Sequence, residues 1–262
     1  IPLSRPRIRR LLLRRIRVAH CARDAFCANA NLQEVLPSRH IPGVLDDHDY
    51  GLNDCDASNP FKDLAKDEFL RRFSAPADDP RRDRGGLYTE ATLGPPGRRV
   101  QLVLLDTRYF RSPWVRSGCD EETDPTCARY VPYNESTAAA LAGGPPTMLG
   151  SEQWEWLASV LAKPAEIRFV ISSVQVLGER TGMEGWHNMP TELARLQDVI
   201  NRTNASGVIL VSGDRHIGGL YRRDAAVAGM SYPLHEVLTS SLTHTSRTLH
   251  AVDDPQRIYP VV

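Results

Sequence analysis

Apolar residues recur along the chain in two rhythms, and their alternation predicts an α/β fold. Short apolar runs at Leu87–Leu93, Val100–Leu105, Ile167–Ser172, Gly207–Ser212, Gly219–Arg222 and His235–Ser240 have the length and composition of strands. Two of them, VQLVLL from Val100 and VILVS from Val208, are apolar at nearly every position, which predicts strands covered on both faces. Helical patterns separate these runs. Residues 22–36 place Phe26, Leu32, Val35 and Leu36 near one face, and Phe61–Phe73 forms a second helix. In SEQWEWLASVLA, Ser151 is the expected N-cap and Trp154, Leu157 and Leu161 form the buried stripe. Pro190 opens a further helix over Pro190–Thr203. Ile41–Leu45 reads as a short buried strand opening into a polar loop, Asp46–Pro60. Residues 107–147 carry much Pro, Gly and charge without a period and predict a long surface excursion.

Composition sharpens this picture in two ways. With 41% hydrophobic and 24% charged residues over 262 positions, the chain is too apolar for wholesale disorder. No run approaches the roughly 20 consecutive apolar residues of a membrane-spanning helix. The 32 basic and 32 acidic side chains cancel, yet residues 1–20 hold seven arginines and no acid. Residues 1–22 therefore read as an Arg-rich leader outside the fold, and the globular body is acidic. That body lacks the basic, aromatic-interleaved surface of a nucleic-acid binder. The five cysteines form no CxxC pair, and only Cys119 and Cys127 are spaced for a loop disulfide in an oxidising compartment.

In α/β folds, chemistry concentrates where loops leave the carboxyl ends of strands, and two such loops stand out. LDDHDYGLND gathers Asp46, Asp47, His48, Asp49 and Asp54 into ten residues with Asn53 beside the last. Carboxylates so close repel one another unless a cation balances them. Hard oxygen donors with an imidazole suit Fe, Mn, Zn or Ca. The second loop, SGDRHIGG from Ser212, places Asp214 and His216 two residues apart, so both can face one cation. Arg215 between them can clamp an anion such as phosphate. Arg108 reads as the ion-pair partner of the neighbouring Asp106. His187 reads as a structural residue, and of Trp154 and Trp156 only one can face the core.

Together with VQLVLLDTRYFRS (100–112), MLGSEQWEWL (148–157), RFVISSVQVL (168–177), EGWHNMPTELARL (184–196), VILVSGDRHIGGLY (208–221) and LHEVLTSSLTHT (234–245), the LDDHDYGLND block resembles the alkaline phosphatase D (PhoD-like) branch of the calcineurin-like metallophosphoesterases. The resemblance runs from about Arg23 to Tyr259. It implies an α/β architecture, a β-sandwich of two mixed sheets flanked by helices, with metals at the strand ends. The family's Gly-Asn-His-Asp/Glu pattern falls on Asp47 as a metal ligand, His48 as the catalytic histidine and Asp49 as its acidic partner. The Gly-His-x-His pattern falls on Gly213–His216, giving Asp214 and His216 as ligands, with Asp46 beside them. Arg215 and Asn53 become substrate-binding residues. The family's earlier Gly-Ser-Cys-type and Gly-Asp-x-x-Tyr segments have no counterpart before Asp46, so residues 23–262 read as a partial copy that also ends early.

The implied activity is metal-assisted hydrolysis of small phosphoesters, with two cations holding the phosphate and generating the attacking hydroxide. The alternative is a chain that binds metal or phosphate weakly without turnover. The resemblance implies an exported protein, periplasmic or extracellular, although no signal segment stands in the chain. Nucleic acid and membrane are not expected partners, and the oligomeric state is left open.

Overall fold

A computed structural model describes residues 43–73, 75–119, 128–141, 144–179 and 182–240. Its frame is a six-stranded mixed sheet built from β1 (Thr89–Leu93), β2 (Val100–Leu104), β5 (Ile167–Ile171), β6 (Val208–Ser212), β7 (Gly218–Arg223) and β8 (Leu234–Thr239), in the spatial order β1-β2-β5-β6-β8-β7. The inner four, β2, β5, β6 and β8, run parallel, while β1 and β7 pair antiparallel at the two edges. A second sheet joins only β3 (Val115–Arg116) and β4 (Tyr130–Val131). The α/β class, with two sheets and flanking helices, is thus the one the sequence implies.

Two helices cover one face of the large sheet. The first, Gly150–Leu161, presents Trp154, Leu157 and Leu161; the second, Pro190–Arg202, presents Leu196, Val199 and Ile200. Both stripes join the cross-strand neighbours Val103, Val170 and Leu210 in a single core. Each such buried aliphatic side chain contributes about 1.5–3 kcal/mol by leaving water. Leu102, Phe169 and Ile209, in register on the opposite face, are only half-buried. The consecutive apolar residues of β2 and β6 therefore mark one fully covered face and one partly covered face, rather than two covered faces.

Local chemistry explains three further departures from the sequence reading. Residues 43–45 are not a strand; Leu45 instead packs with Tyr50, Phe69, Leu70 and Leu87 in a small separate core. The polar loop after it contains a helical turn, Asp47–Tyr50, whose first-turn aspartates complement the helix N-terminus. Ser151 is not the N-cap of its helix. The helix begins at Gly150, whose N–H donates to Thr147 Oγ1 at 2.9 Å. Gly150 has φ +72°, and a Cβ there would stand 2.8 Å from Phe110, so this position requires glycine.

The expected helices at Phe61–Phe73 and Pro190–Thr203 appear as Lys62–Arg72 and Pro190–Arg202, the latter with Pro in its first turn. Trp154 is the core-facing member of its tryptophan pair, while Trp156 lies half-buried against Tyr88. The expected helix over 22–36 and the leader lie outside the described residues. Cys119 is disulfide-bonded, and Cys127, its expected partner, lies outside them too. No described helix is long and apolar enough to cross a membrane.

Candidate metal centre

Because β2, β5 and β6 are parallel, the segments leaving them emerge at one edge of the sheet. They are tied to one another there. Thr107 Oγ1 and Ser173 Oγ lie 2.7 Å apart, and the Gly213 N–H donates to the Ser173 carbonyl at 3.2 Å. Asp106, fully buried, accepts from the backbone N–H groups of Leu87, Arg108 and Tyr109 at 2.7–2.9 Å. Its carboxylate thereby shapes the turn after β2 and leaves the Arg108 side chain to reach elsewhere.

Arg108 is wholly buried, and its guanidinium bridges two distant acids. Nε donates to Asp46 Oδ1 at 2.9 Å, and Nη1 donates to Glu184 Oε2 at 2.8 Å. The expected Arg108–Asp106 side-chain pair is therefore replaced by pairs with Asp46 and Glu184. Glu184 also accepts from Trp114 Nε1 at 2.7 Å and lies 3.8 Å from Arg111 Nη2. Arg111 is equally buried and donates to the Asp54 and Cys55 carbonyls at 2.7 and 2.9 Å. Part of the predicted surface excursion is thus interior, because its arginines find acid and carbonyl partners there.

This arrangement gathers carboxylates from four places in the chain. Ligand atoms of Asp46, Asp47 and Asp214 lie within 4.8 Å of one another, and so do those of Asp47, Asp54 and Glu184. Burial, with Asp46 adding repulsion, raises the Asp47 pKa above the usual carboxylate value. Burial, with Asp46 and Glu184 adding to it, raises Asp214 well above that value. Glu184 moves the other way: burial opposes its charge, but Arg108, with Arg111 and Trp114 adding to it, lowers its pKa. A cation beside Asp47 and Asp214 would favour their ionised forms. An all-carboxylate donor set suits a hard cation.

The remaining predicted residues take varied positions. His48 is 64% exposed, with Nε2 3.8 Å from Asp47 Oδ2. Asp49 sits half-buried on the same helical turn, and Asn53 is exposed just before Asp54. His216 is exposed and stands outside the two carboxylate groups; its N–H donates to Ser240 Oγ at 3.0 Å. Arg215 is half-buried, and its Nε has no hydrogen-bond partner among the described residues. Asp54, Asp214 and His216 have φ of 55°, 68° and 55°, an uncommon left-handed backbone for non-glycine residues that concentrates strain in these two loops.

Sequence reading missed Glu184, Arg111 and Tyr130 as members of this centre. Tyr130 donates to Asp54 Oδ2 at 2.6 Å, beside Arg129 at 3.0 Å. The one available signal was that Glu184 opens the EGWHNMP block. His187 is held neutral, its pKa lowered to about 4 by burial and by Arg215.

Comparison with known proteins bears on this centre. The PhoD-like phosphatase family matches residues 72–257. That range includes Arg108, Glu184, Asp214, Arg215 and His216, and it opens after the Asp46–Asp54 segment. No curated protein sequence matches the chain. A solved structure titled "Structure of PhoD" is similar in fold, with a TM-score of 0.51 and 18% sequence identity over 76% of this chain. The chain spans 39% of the length of that protein. With the family matched over more than half of its residues, the chain belongs to the PhoD-like phosphatases.

Proposed function

We propose that the chain hydrolyses phosphoesters at a metal centre formed by Asp46, Asp47 and Asp214. The observation that carries this reading is the convergence of those three carboxylates. Two come from the segment before the sheet and one from the loop after β6, with ligand atoms within 4.8 Å of one another. His216 and Asp49 are the nearest further donors by sequence. Fe, Mn, Zn and Ca all suit such a donor set. A bound cation supplies Lewis-acid stabilisation of phosphate oxygens and an activated water.

The protein's own groups do the rest. Arg215, with Nε unpartnered among the described residues, donates to a phosphate oxygen. Asn53 offers its amide at the exposed rim. His48, one residue from a ligand and open to solvent, donates a proton to the departing alkoxide, with Asp49 as its acidic partner. Arg108 holds Asp46 from behind and keeps that carboxylate aimed at the centre.

The test is hydrolysis of p-nitrophenyl phosphate and its bis-ester by the purified chain loaded with each metal in turn. Metal-dependent turnover lost in Asp214→Asn and His48→Ala supports the reading; a metal-free, inactive chain sinks it. The large exposure of His48 favours a second reading, a site that binds metal or phosphate without turnover. Metal binding with no hydrolysis of either ester would select it.

A further inference from the structure

The pattern Asn-x-Ser/Thr, in which a hydroxyl two residues on marks an asparagine for N-glycosylation, occurs three times in the chain. The asparagines are Asn134, Asn201 and Asn204, followed by Ser136, Thr203 and Ser206. All three asparagines are exposed, so exposure does not choose between them. Their hydrogen bonds do. Asn134 is the N-cap of the helix Glu135–Ala139: its Oδ1 accepts from the Thr137 N–H at 2.9 Å, and its own N–H donates to Thr137 Oγ1 at 2.9 Å. Ser136 stands inside that helix. Asn201 lies in the last turn of the helix Pro190–Arg202, and its Nδ2, the atom that would carry a sugar, donates to the Gly229 carbonyl at 3.2 Å. Thr203 Oγ1 is turned back into the same helix, donating to the Val199 carbonyl at 2.7 Å. Both of these patterns are committed to the helices they sit on.

Asn204 differs in each respect. It follows the helix in a left-handed turn, φ 51°, a conformation asparagine adopts more readily than most residues. Its side chain and that of Ser206, also exposed, make no hydrogen bond among the described residues. The turn is nonetheless fixed. The Asn204 N–H donates to the Asn201 carbonyl at 3.0 Å, and the buried Arg168 donates through Nη1 to the Ser206 carbonyl at 2.7 Å. An uncommitted amide and an uncommitted hydroxyl are thus presented together on a pinned surface turn.

We propose that Asn204 is an N-glycosylation site of this protein, and that of the three patterns it is the one that carries the glycan. In the transfer, Asn204 Nδ2 forms a bond to the anomeric carbon of an oligosaccharide held on a lipid diphosphate. The bond from that carbon to the diphosphate oxygen breaks, the lipid diphosphate leaves, and the amide gives up one proton to the transferase. Cys119 is disulfide-bonded, as structural cysteines are in the oxidising compartments where this transfer takes place. The position also spares the metal centre. Asn204 precedes β6 and Asp214 follows it, with the five residues of the strand between them. A strand of that length spans roughly 16 Å. The glycan therefore stands at the amino edge of the sheet, away from the carboxyl edge where the carboxylates converge.

The test is to secrete the 262-residue chain from cultured animal cells behind a cleavable leader. Gel mobility before and after peptide N-glycosidase, with mass spectrometry of the peptides, then reads which asparagine is modified. A glycan on Asn204 is the expected result, with its mobility shift lost in Asn204→Gln and in Ser206→Ala and kept in Asn134→Gln and Asn201→Gln. Asn204 recovered unmodified from the secreted chain would overturn the inference, and so would a glycan carried by Asn134 or Asn201 in its place. If Asn204→Gln is not secreted, Ser206→Ala removes the pattern while keeping the asparagine, and the peptide masses of the wild type decide. The inference stands apart from the phosphoesterase reading, which an unmodified Asn204 would leave intact.

Discussion

Glu184 and Asp214 both sit in loops at the carboxyl edge of the sheet, yet they are built into the molecule in opposite ways. Glu184 is buried, ionised and enclosed by donors from Arg108 and Trp114. Asp214 has no described donor, and burial together with its acidic neighbours pushes its pKa well up. On the proposed function, the difference separates a carboxylate that holds the fold from one that is held for a cation. A buried ion pair broken on one side leaves a stranded charge, whereas an unpaired carboxyl neutralised by mutation loses a cost.

Variants can break this comparison, beginning with the largest effect. Glu184→Gln removes one of the two acids that balance the buried Arg108, leaving Asp46 alone, and is expected to destabilise the chain by about 3–5 kcal/mol in urea unfolding. Leu157→Ala, in the helix-packed core, is expected to cost about 2–5 kcal/mol by the same assay, because its neighbours on the sheet cannot close the cavity. Asp214→Asn should do the reverse of Glu184→Gln: the metal-free variant unfolds at the same temperature as the wild type or higher, while the thermal shift produced by added metal is lost. Glu184→Gln and Asp214→Asn behaving alike would erase the distinction.

A pH titration sharpens it from outside the acidic groups. His187 is neutral in the fold, with its pKa near 4 against 6.5 for a free imidazole, through burial first and Arg215 second. The unfolded chain takes up a proton below 6.5 and the folded chain does so only near 4. His187 therefore contributes stability above pH 6.5 that is lost as pH falls towards 4, up to about 3 kcal/mol. His187→Gln should flatten that part of the stability profile. The smallest effect is expected at Asn134, which caps the short helix Glu135–Ala139 through Thr137; Asn134→Ala should cost about 1 kcal/mol in thermal unfolding.

What the sequence made legible follows from the range of the forces involved. The strands β2, β5 and β6 and the helices over them were readable because burial writes a local period into the chain. Asp46, Asp47 and Asp214 were readable because each lies in a dense polar cluster next to an apolar element. The pairing of Arg108 was not. Asp106 is two residues away, but its carboxylate is consumed by the backbone N–H groups of Arg108 and Tyr109 in its own turn and of Leu87, and the guanidinium reaches acids 62 and 76 residues distant instead. Glu184 is a lone acid in a loop, so no local pattern marked it. Residues 43–45 have the apolar content of a strand, yet Leu45 is buried by the helix Lys62–Arg72 and Leu87 rather than by a sheet.

The central claim is that Asp214 completes a metal centre that hydrolyses phosphoesters. The most direct measurement is the rate of p-nitrophenyl phosphate hydrolysis by wild type and Asp214→Asn under saturating Mn2+, with folding checked by circular dichroism. A fall of about a hundredfold or more in a folded variant is the expected result. Turnover by Asp214→Asn at the wild-type rate, with the same metal dependence, would contradict it.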